Sequence, residues 1–496
     1  MRRSGILLHI SSLPSDYGIG KLGKEAFAFA DFLKKSGTSV WQILPISPTS
    51  YGDSPYQSFS VHAGNPYFID FEKLEEDGLL EKTDYSNVDW GNDSRHVDYA
   101  KIYENCFPVL RKAFKKFDTS NTEYKAFCKE QSDWLDDYSL FMALKFAHNG
   151  DPWNKWEKPL AMREKEAIKE AKKKYSEDIA FFSVIQYWFY TQWGALKTYC
   201  NENGISIIGD IPIYVAFDSV EVWAQPELFC LDEEHMPIDV AGCPPDIFSP
   251  TGQLWGNPLY DWAYHKKSRY TWWIKRLKKA STLYDTVRID HFRGFESFYT
   301  IPYGNPTAEI GEWRLGPGYS LFEAAKKKLG DISIIAEDLG FITPEVHELL
   351  EKCGYPGMKV LQFAFDGDPE NNYLPQNYTT SNIVAYTGTH DNMTLSGWAN
   401  DLKGASLSFA KRYLRIKDRK DLPEELLHLT WSSCAELAVA QMQDFLNASP
   451  NARMNTPSTA SGNWQYRTIK SDFTSKLAKK ILQFNTIYNR HQTEPV

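Results

Sequence analysis

Eight short apolar runs, separated by stretches with helical periodicity, constrain this chain more than any other feature. They lie at 5–10, 40–44, 206–215, 286–292, 332–338, 358–365, 383–389 and 452–456. Each is rich in Ile, Val, Leu or aromatic residues and is bounded by Gly, Pro or Asp, which predicts strands. Connections of ordinary length read as helices. Residues 24–37 place Phe27, Ala30 and Leu33 on one side and close on Lys-Lys-Ser-Gly, and 319–330 behave alike. Eight strand–helix alternations predict an α/β fold, a (β/α)8 TIM barrel.

Two connections are too long for a bare barrel. Residues 51–205, between the second and third strands, carry long helical patterns at 94–117, 123–148 and 163–203. The basic run at 165–174 reads as a solvated helix face. Residues 216–285, between the third and fourth strands, contain Ala241-Gly242-Cys243-Pro244-Pro245-Asp246 and Gly252-Gln253-Leu254-Trp255-Gly256-Asn257-Pro258. Pro and Gly at that density predict an ordered loop, and such a loop on a barrel serves as a lid or binding wall. No Ser/Gly-rich linker occurs, so 1–496 is expected to form one catalytic barrel with two insertions.

Composition excludes several functions. The net charge of −9 disfavours nucleic acid as a partner. No run of 18 apolar residues is present, and the opening segment runs into Ser-Ser-Leu-Pro rather than a cleavage site, so neither a membrane span nor a signal peptide is expected. Seven cysteines lie scattered without a CxxC pair, which argues against a disulfide scaffold or zinc site and suits the cytoplasm. Aromatic residues make up 15%, enough to fill a core and also to stack on sugar rings.

Some motifs mislead. Gly18-Ile19-Gly20-Lys21-Leu22-Gly23 matches a dinucleotide fingerprint. However, a proline-containing stretch separates it from the first strand, and no acidic residue ends the second. His347-Glu348-Leu349-Leu350-Glu351 lacks the second histidine of a zinc protease helix. Asp366-Gly367-Asp368 is too short for a calcium loop.

The chemistry-bearing signal is acid at the strand ends: Arg288-Ile289-Asp290-His291, Ala336-Glu337-Asp338, Thr389-His390-Asp391-Asn392 and Gly209-Asp210-Ile211-Pro212. In a (β/α)8 barrel all strands point one way, so Asp290, Glu337 and Asp391 should meet at one face. One such residue alone would read as a helix N-cap. Arg288 and Asp290 are two apart on a strand and face the same side, so the guanidinium holds the carboxylate ionised, as a nucleophile requires. Glu337 follows an apolar run, which favours its protonated form, as a general acid requires. Paired carboxyls of this kind cleave glycosidic bonds. Asp391 and His390 would grip sugar hydroxyls.

These residues carry a family resemblance. Together with Leu8-His9, Ser12-Leu13-Pro14, Tyr51-Gly52-Asp53-Ser54-Pro55-Tyr56-Gln57-Ser58-Phe59-Ser60, Gly64-Asn65-Pro66-Tyr67, Trp255-Gly256-Asn257-Pro258-Leu259-Tyr260 and Arg453-Met454-Asn455-Thr456-Pro457, the chain resembles the amylomaltases, or disproportionating enzymes. These are 4-α-glucanotransferases of the α-amylase clan. The resemblance implies a barrel without a C-terminal β-sandwich. It implies Asp290 as nucleophile, Glu337 as acid/base and Asp391 as transition-state stabiliser. Glucan contacts would fall on Tyr56, Asp210, Asp246, Trp255, Arg288, His390 and Asn455, and the segment 243–253 would be the lid. No cofactor and no metal are implied. Cys243 in the lid and Tyr466, where a Trp is usual, depart from the family pattern.

The expected activity is transfer of an α-1,4-glucan segment to the 4-hydroxyl of an acceptor glucan or glucose. Partners would be α-1,4-glucan oligosaccharides and polysaccharides, with no nucleic acid and no membrane. An α-1,4-glucan hydrolase with the same trio is the alternative, and a catalytically dead glucan-binding protein is a third reading that the intact trio disfavours.

Overall fold

The computed structural model describes residues 2–245, 249–459 and 461–491. Among the described residues there are twelve strands: β1 Arg3–Leu7, β2 Val40–Gln42, β3 Ser206–Pro212, β4 Asp239–Cys243, β5 Gln253–Pro258, β6 Thr286–Asp290, β7 Ser297–Pro302, β8 Glu312–Leu315, β9 Ile334–Ala336, β10 Gly357–Val360, β11 Ile383–Tyr386 and β12 Leu437–Gln441. Eight of them form one parallel sheet in the order β10-β11-β12-β1-β2-β3-β6-β9. The Ala336 N–H donates to the Pro356 carbonyl over 3.0 Å, joining the last strand to the first and rolling the sheet into a (β/α)8 TIM barrel. Helices cover the outside, so the strands are buried on both faces and read as continuous apolar runs rather than alternating ones. Trp41 on β2 is fully buried and donates its indole N–H to the Leu8 carbonyl over 2.8 Å. Truncating such a side chain to alanine costs about 3–5 kcal/mol.

The eighth barrel strand differs from the expectation. It is Leu437–Gln441, every residue buried, paired with both β1 and β11. The segment 452–456 is instead loop after the short 3-10 turn Pro450–Ala452.

The region 51–205 is mostly helical, with helices including Tyr99–Lys116, Leu135–Ala147 and Ser176–Glu202. Helix Lys165–Lys174 buries only Ala171, as a solvated basic face should. The long helix Ser176–Glu202 fastens the loop that follows β2. The Gln186 amide accepts from the Gly64 N–H (2.7 Å) and donates to the Gly64 carbonyl (2.9 Å), and Gln192 pairs with the backbone of Asp70 in the same way. Buried amides paired with backbone on both sides hold a loop rigidly.

The region 216–285 is not only loop. Its Pro/Gly-rich strings are the two arms of an antiparallel hairpin, with Gly242 opposite Leu254 and Cys243 opposite Gln253. The hairpin belongs to a four-stranded sheet in the order β5-β4-β7-β8, which stands beside the barrel. Helices Trp262–Lys267 and Thr271–Leu283 complete the insertion.

The near-Rossmann glycines are packing positions. A Cβ on Gly20 would stand 1.8 Å from the Ile10 carbonyl oxygen, and one on Gly23 would meet the Asp70 carboxyl. Among the described residues no helix is long and apolar enough to cross a membrane.

Candidate active site

Strand register decides which acids meet. Asp210 on β3 lies opposite Arg288 on β6, and Pro212 opposite Asp290. Ile289 lies opposite Ala336, so Asp290 and Glu337 leave adjacent strand ends together. The Arg288 guanidinium, almost fully buried, reaches Asp210 Oδ2 at 2.6 Å and Asp290 Oδ1 at 2.9 Å. One cation therefore serves two carboxylates, and its own pKa is held well above the ordinary value by both. A buried pair of this kind is costly to break by removing one partner.

Glu337 sits next to this group. Its Oε2 accepts from the His291 backbone N–H at 2.7 Å and its Oε1 from the Leu339 N–H at 2.9 Å. His291 has φ of 51°, a left-handed conformation uncommon outside glycine. Burial, and then the Asp290 charge, push the Glu337 carboxyl up to about 8, against the pull of Arg288 and the two N–H donors. Two neighbouring acids thus sit in opposite settings, one bonded to a guanidinium and one kept protonated at neutral pH.

His390 and Asp391 arrive from the loop after β11. His390 Nε2 lies 3.3 Å from Asp391 Oδ2, and Asn455 donates to Asp391 Oδ1 over 2.6 Å. Burial raises the Asp391 pKa, but His390 and Asn455 more than offset it and hold the carboxyl down at about 2. Asn455 comes from the loop 452–456 that the sequence pattern assigned to a strand. Its N–H donates to the His390 carbonyl over 3.0 Å.

Tyr56 closes the group. Its hydroxyl donates to Asp210 Oδ2 at 2.8 Å, and its ring stacks on His390 with centroids 4.9 Å apart. Asp210 is buried, its Oδ1 has no protein partner among the described residues, and burial raises its pKa. Ser60 and the Val61 N–H, just beyond Tyr56, bond the buried Glu221 carboxylate. Trp255 on β5 is half-buried and sets its ring edge-on to His291, centroids 4.7 Å apart. Asp246, also expected at the site, lies outside the described residues.

The sequence reading passed over three residues. His291 carries the N–H that holds Glu337. Trp464 packs against both Tyr56 and His390, with centroids 5.7 and 5.8 Å away. Arg453 donates to the Asp391 carbonyl and to that of Asn455. Arg453 stood inside a recognised motif. Trp464, in Ser461-Gly462-Asn463-Trp464, had no local signal. Among the described residues no group of three or more His, Cys, Asp or Glu could hold a metal ion. The residues that meet here are four carboxyls, the Arg288 guanidinium, the Tyr56 hydroxyl and ring surfaces, a set able to do acid/base and nucleophilic work.

The comparisons with known proteins agree. A family model described as 4-alpha-glucanotransferase matches residues 8–471. The 4-alpha-glucanotransferase of Clostridium butyricum is 48% identical over 97% of this chain and 100% of its own. That of Thermus thermophilus is 48% identical over 97% of each. The solved structure of amylomaltase from Streptococcus agalactiae in complex with acarbose is 44% identical, covers 99% of this chain and 100% of its own, and superposes with a TM-score of 0.97. Amylomaltase from Corynebacterium glutamicum, 18% identical with a TM-score of 0.78 over 99% of this chain and 74% of its own, shares the fold. With the matching model spanning most of the sequence, this chain belongs to the 4-alpha-glucanotransferase family.

Proposed function

We propose that this protein is a 4-α-glucanotransferase that moves a segment of an α-1,4-glucan onto the 4-hydroxyl of another glucan or of glucose, by a retaining double displacement. The observation that carries the mechanism is the opposite setting of two adjacent carboxyls: Asp290 bonded to Arg288, and Glu337 raised to about 8.

In the first step an Asp290 oxygen attacks the anomeric carbon. The bond from that carbon to the glycosidic oxygen breaks, and the Glu337 proton passes to that oxygen, releasing one glucan piece. In the second step the acceptor 4-hydroxyl attacks the same carbon. Its proton returns to Glu337, and the ester to Asp290 breaks. Asp391, its carboxyl held down at about 2, stabilises the positive charge that develops on the ring in the transition state of each step. In this reading Tyr56, Asp210, Arg288, His390 and Asn455 form the donor-sugar site, with the buried Asp210 carboxyl acting beneath it through its bonds to Tyr56 and Arg288. Trp255 belongs to the acceptor-side wall in this reading, and Asp246 is expected to contact the glucan by family likeness alone. The chain is one catalytic unit, with the insertions at 51–205 and 216–285 walling the cleft, and a cytoplasmic setting suits its scattered cysteines.

The test is incubation with maltotriose followed by chromatography. Transfer gives a ladder of longer and shorter oligosaccharides plus glucose. Maltose and glucose alone would mean hydrolysis and would overturn the transferase reading.

A further inference from the structure

Strand β8 and the loop after β9 carry two aromatic rings that the mechanism does not use. Trp313 is 38% exposed and Phe341 is 68% exposed. Their planes are 23° apart and their centroids 6.4 Å apart. Phe341 is not held there by burial, and Trp313 only in part. Both are held by Arg293, whose guanidinium carbon lies 3.8 Å from the centre of the Trp313 ring, while one nitrogen donates to the Phe341 carbonyl and another to Ser297 Oγ at 2.8 Å. Trp313 also meets Tyr299 edge to face, centroids 5.3 Å apart.

The position of the rings is set by the chain. Arg293 is three residues past Asp290, and Phe341 is four past Glu337, so Phe341 lies within about 14 Å of the acid by chain reach alone. In the barrel order β3-β6-β9, Asp210 and Glu337 flank Asp290 on opposite sides. Tyr56 and Asp210, bonded to each other, lie on the β3 side of Asp290, whereas Phe341 continues the chain from Glu337 on the β9 side, the side of the residue that gives its proton to the leaving sugar, and Trp313 stacks on it there. The surrounding charge is self-cancelling, since Arg314 is paired with Asp239 and with Glu312, each at 2.8 Å. The Arg293 guanidinium is itself buried beneath Trp313, so what the rings offer to solvent is apolar surface, which suits a neutral ligand with flat C–H faces.

We infer that Trp313 and Phe341, aligned by Arg293, form an outer acceptor subsite that stacks sugar rings of an α-1,4-glucan beyond the bond being made. This rests on the transferase reading. The subsite favours long acceptors over glucose, which ends before reaching the rings.

The test uses α-maltosyl fluoride as donor, so that the acceptor side is vacant when the ester forms, with glucose or maltopentaose as acceptor. The wild-type protein must form transfer products with glucose; if it does not, the transferase reading itself fails. In Phe341→Ala and Trp313→Leu the ratio of kcat/KM for maltopentaose to that for glucose should fall roughly five- to tenfold, from loss of ring stacking. Trp313→Tyr, which keeps a ring, should retain most of the ratio. An unchanged ratio in both variants overturns the subsite, as does an equal loss with both acceptors, which would make the rings structural only. Sedimentation of the wild-type protein and of Phe341→Ala supplies a further check. A dimer that this substitution dissociates would assign the rings to a second copy of the chain and overturn the proposal.

Discussion

His291 donates its backbone N–H to Glu337 Oε2 over 2.7 Å, so the residue that follows Asp290 in the chain fixes the carboxyl beside it. The left-handed turn at His291 is what aims that N–H. Glu337 is thus oriented by donors that would favour its ionised form, yet burial and the Asp290 charge win and keep it protonated near neutrality. Orientation and proton affinity therefore come from different sources.

Turnover of maltotriose should fall as pH rises through about 8, where Glu337 loses the proton it must donate. Glu337→Gln should turn over a glycosyl fluoride slowly but not maltotriose, because fluoride leaves with little protonation. Equal loss on both donors would reassign Glu337 to a structural role. Stability follows the same group. Its folded pKa of about 8 exceeds the ordinary 4.5, so its contribution is full below about 4.5 and is lost as pH rises through about 8. Glu337→Gln should therefore gain in Tm relative to the native protein at pH 8–9 and converge on it near pH 4. A Tm difference independent of pH would contradict the raised value.

Asp290→Asn should abolish transfer while the fold persists, since an amide cannot form the glycosyl ester. Circular dichroism and a maltotriose assay decide it. Activity above about a tenth of wild type, with deamidation excluded by mass spectrometry, would remove Asp290 from the nucleophile's role.

The barrel was legible because strands buried on both faces leave runs such as Ile207-Ile208 and Ile334-Ile335 that local pattern exposes. The eighth was not. Leu437-Ala438-Val439-Ala440-Gln441 has a single β-branched residue and follows helix Leu422–Ser432, so it reads as more helix. The loop 452–456 carries a strand-like pattern instead, and its Asn455 lies against Asp391. The second sheet was hidden for another reason. Its central strand β4 pairs with β7, some sixty residues on, and Gly242 and Pro258 within the hairpin mimic loop. The acids at strand ends were visible because the parallel barrel converts sequence position into a common face. Trp464 and the N–H of His291 were not, since their roles depend on loops whose paths no periodicity records.

Asn455 should matter through Asp391. With His390 and Arg288, its amide holds that carboxylate at low pKa, and it fixes Oδ1 in position. Asn455→Ala should lower kcat for maltotriose about tenfold to a hundredfold, the range set by losing a hydrogen bond to a charged group, with a smaller change in KM. A rise in KM with kcat unchanged would mean that Asn455 only holds the bound glucan and does not act on the distorted ring.

The hairpin over the cleft should govern the choice between acceptor and water. Trp255 stands on β5, two residues past the segment 243–253, and its ring meets His291, whose backbone N–H secures Glu337. It is half-buried, so it is available to a sugar ring as well as to its neighbours. If it shields the Asp290 ester, Trp255→Ala should admit water and weaken acceptor binding together. The ratio of maltotetraose and longer products to newly formed reducing ends, at fixed maltotriose, should then drop several-fold. Trp255→Phe should fall between the two. A folded alanine variant that loses total activity at an unchanged product ratio would make Trp255 a packing residue for His291. Water exclusion would then have to come from another part of the barrel mouth, such as the Tyr56–His390–Trp464 wall.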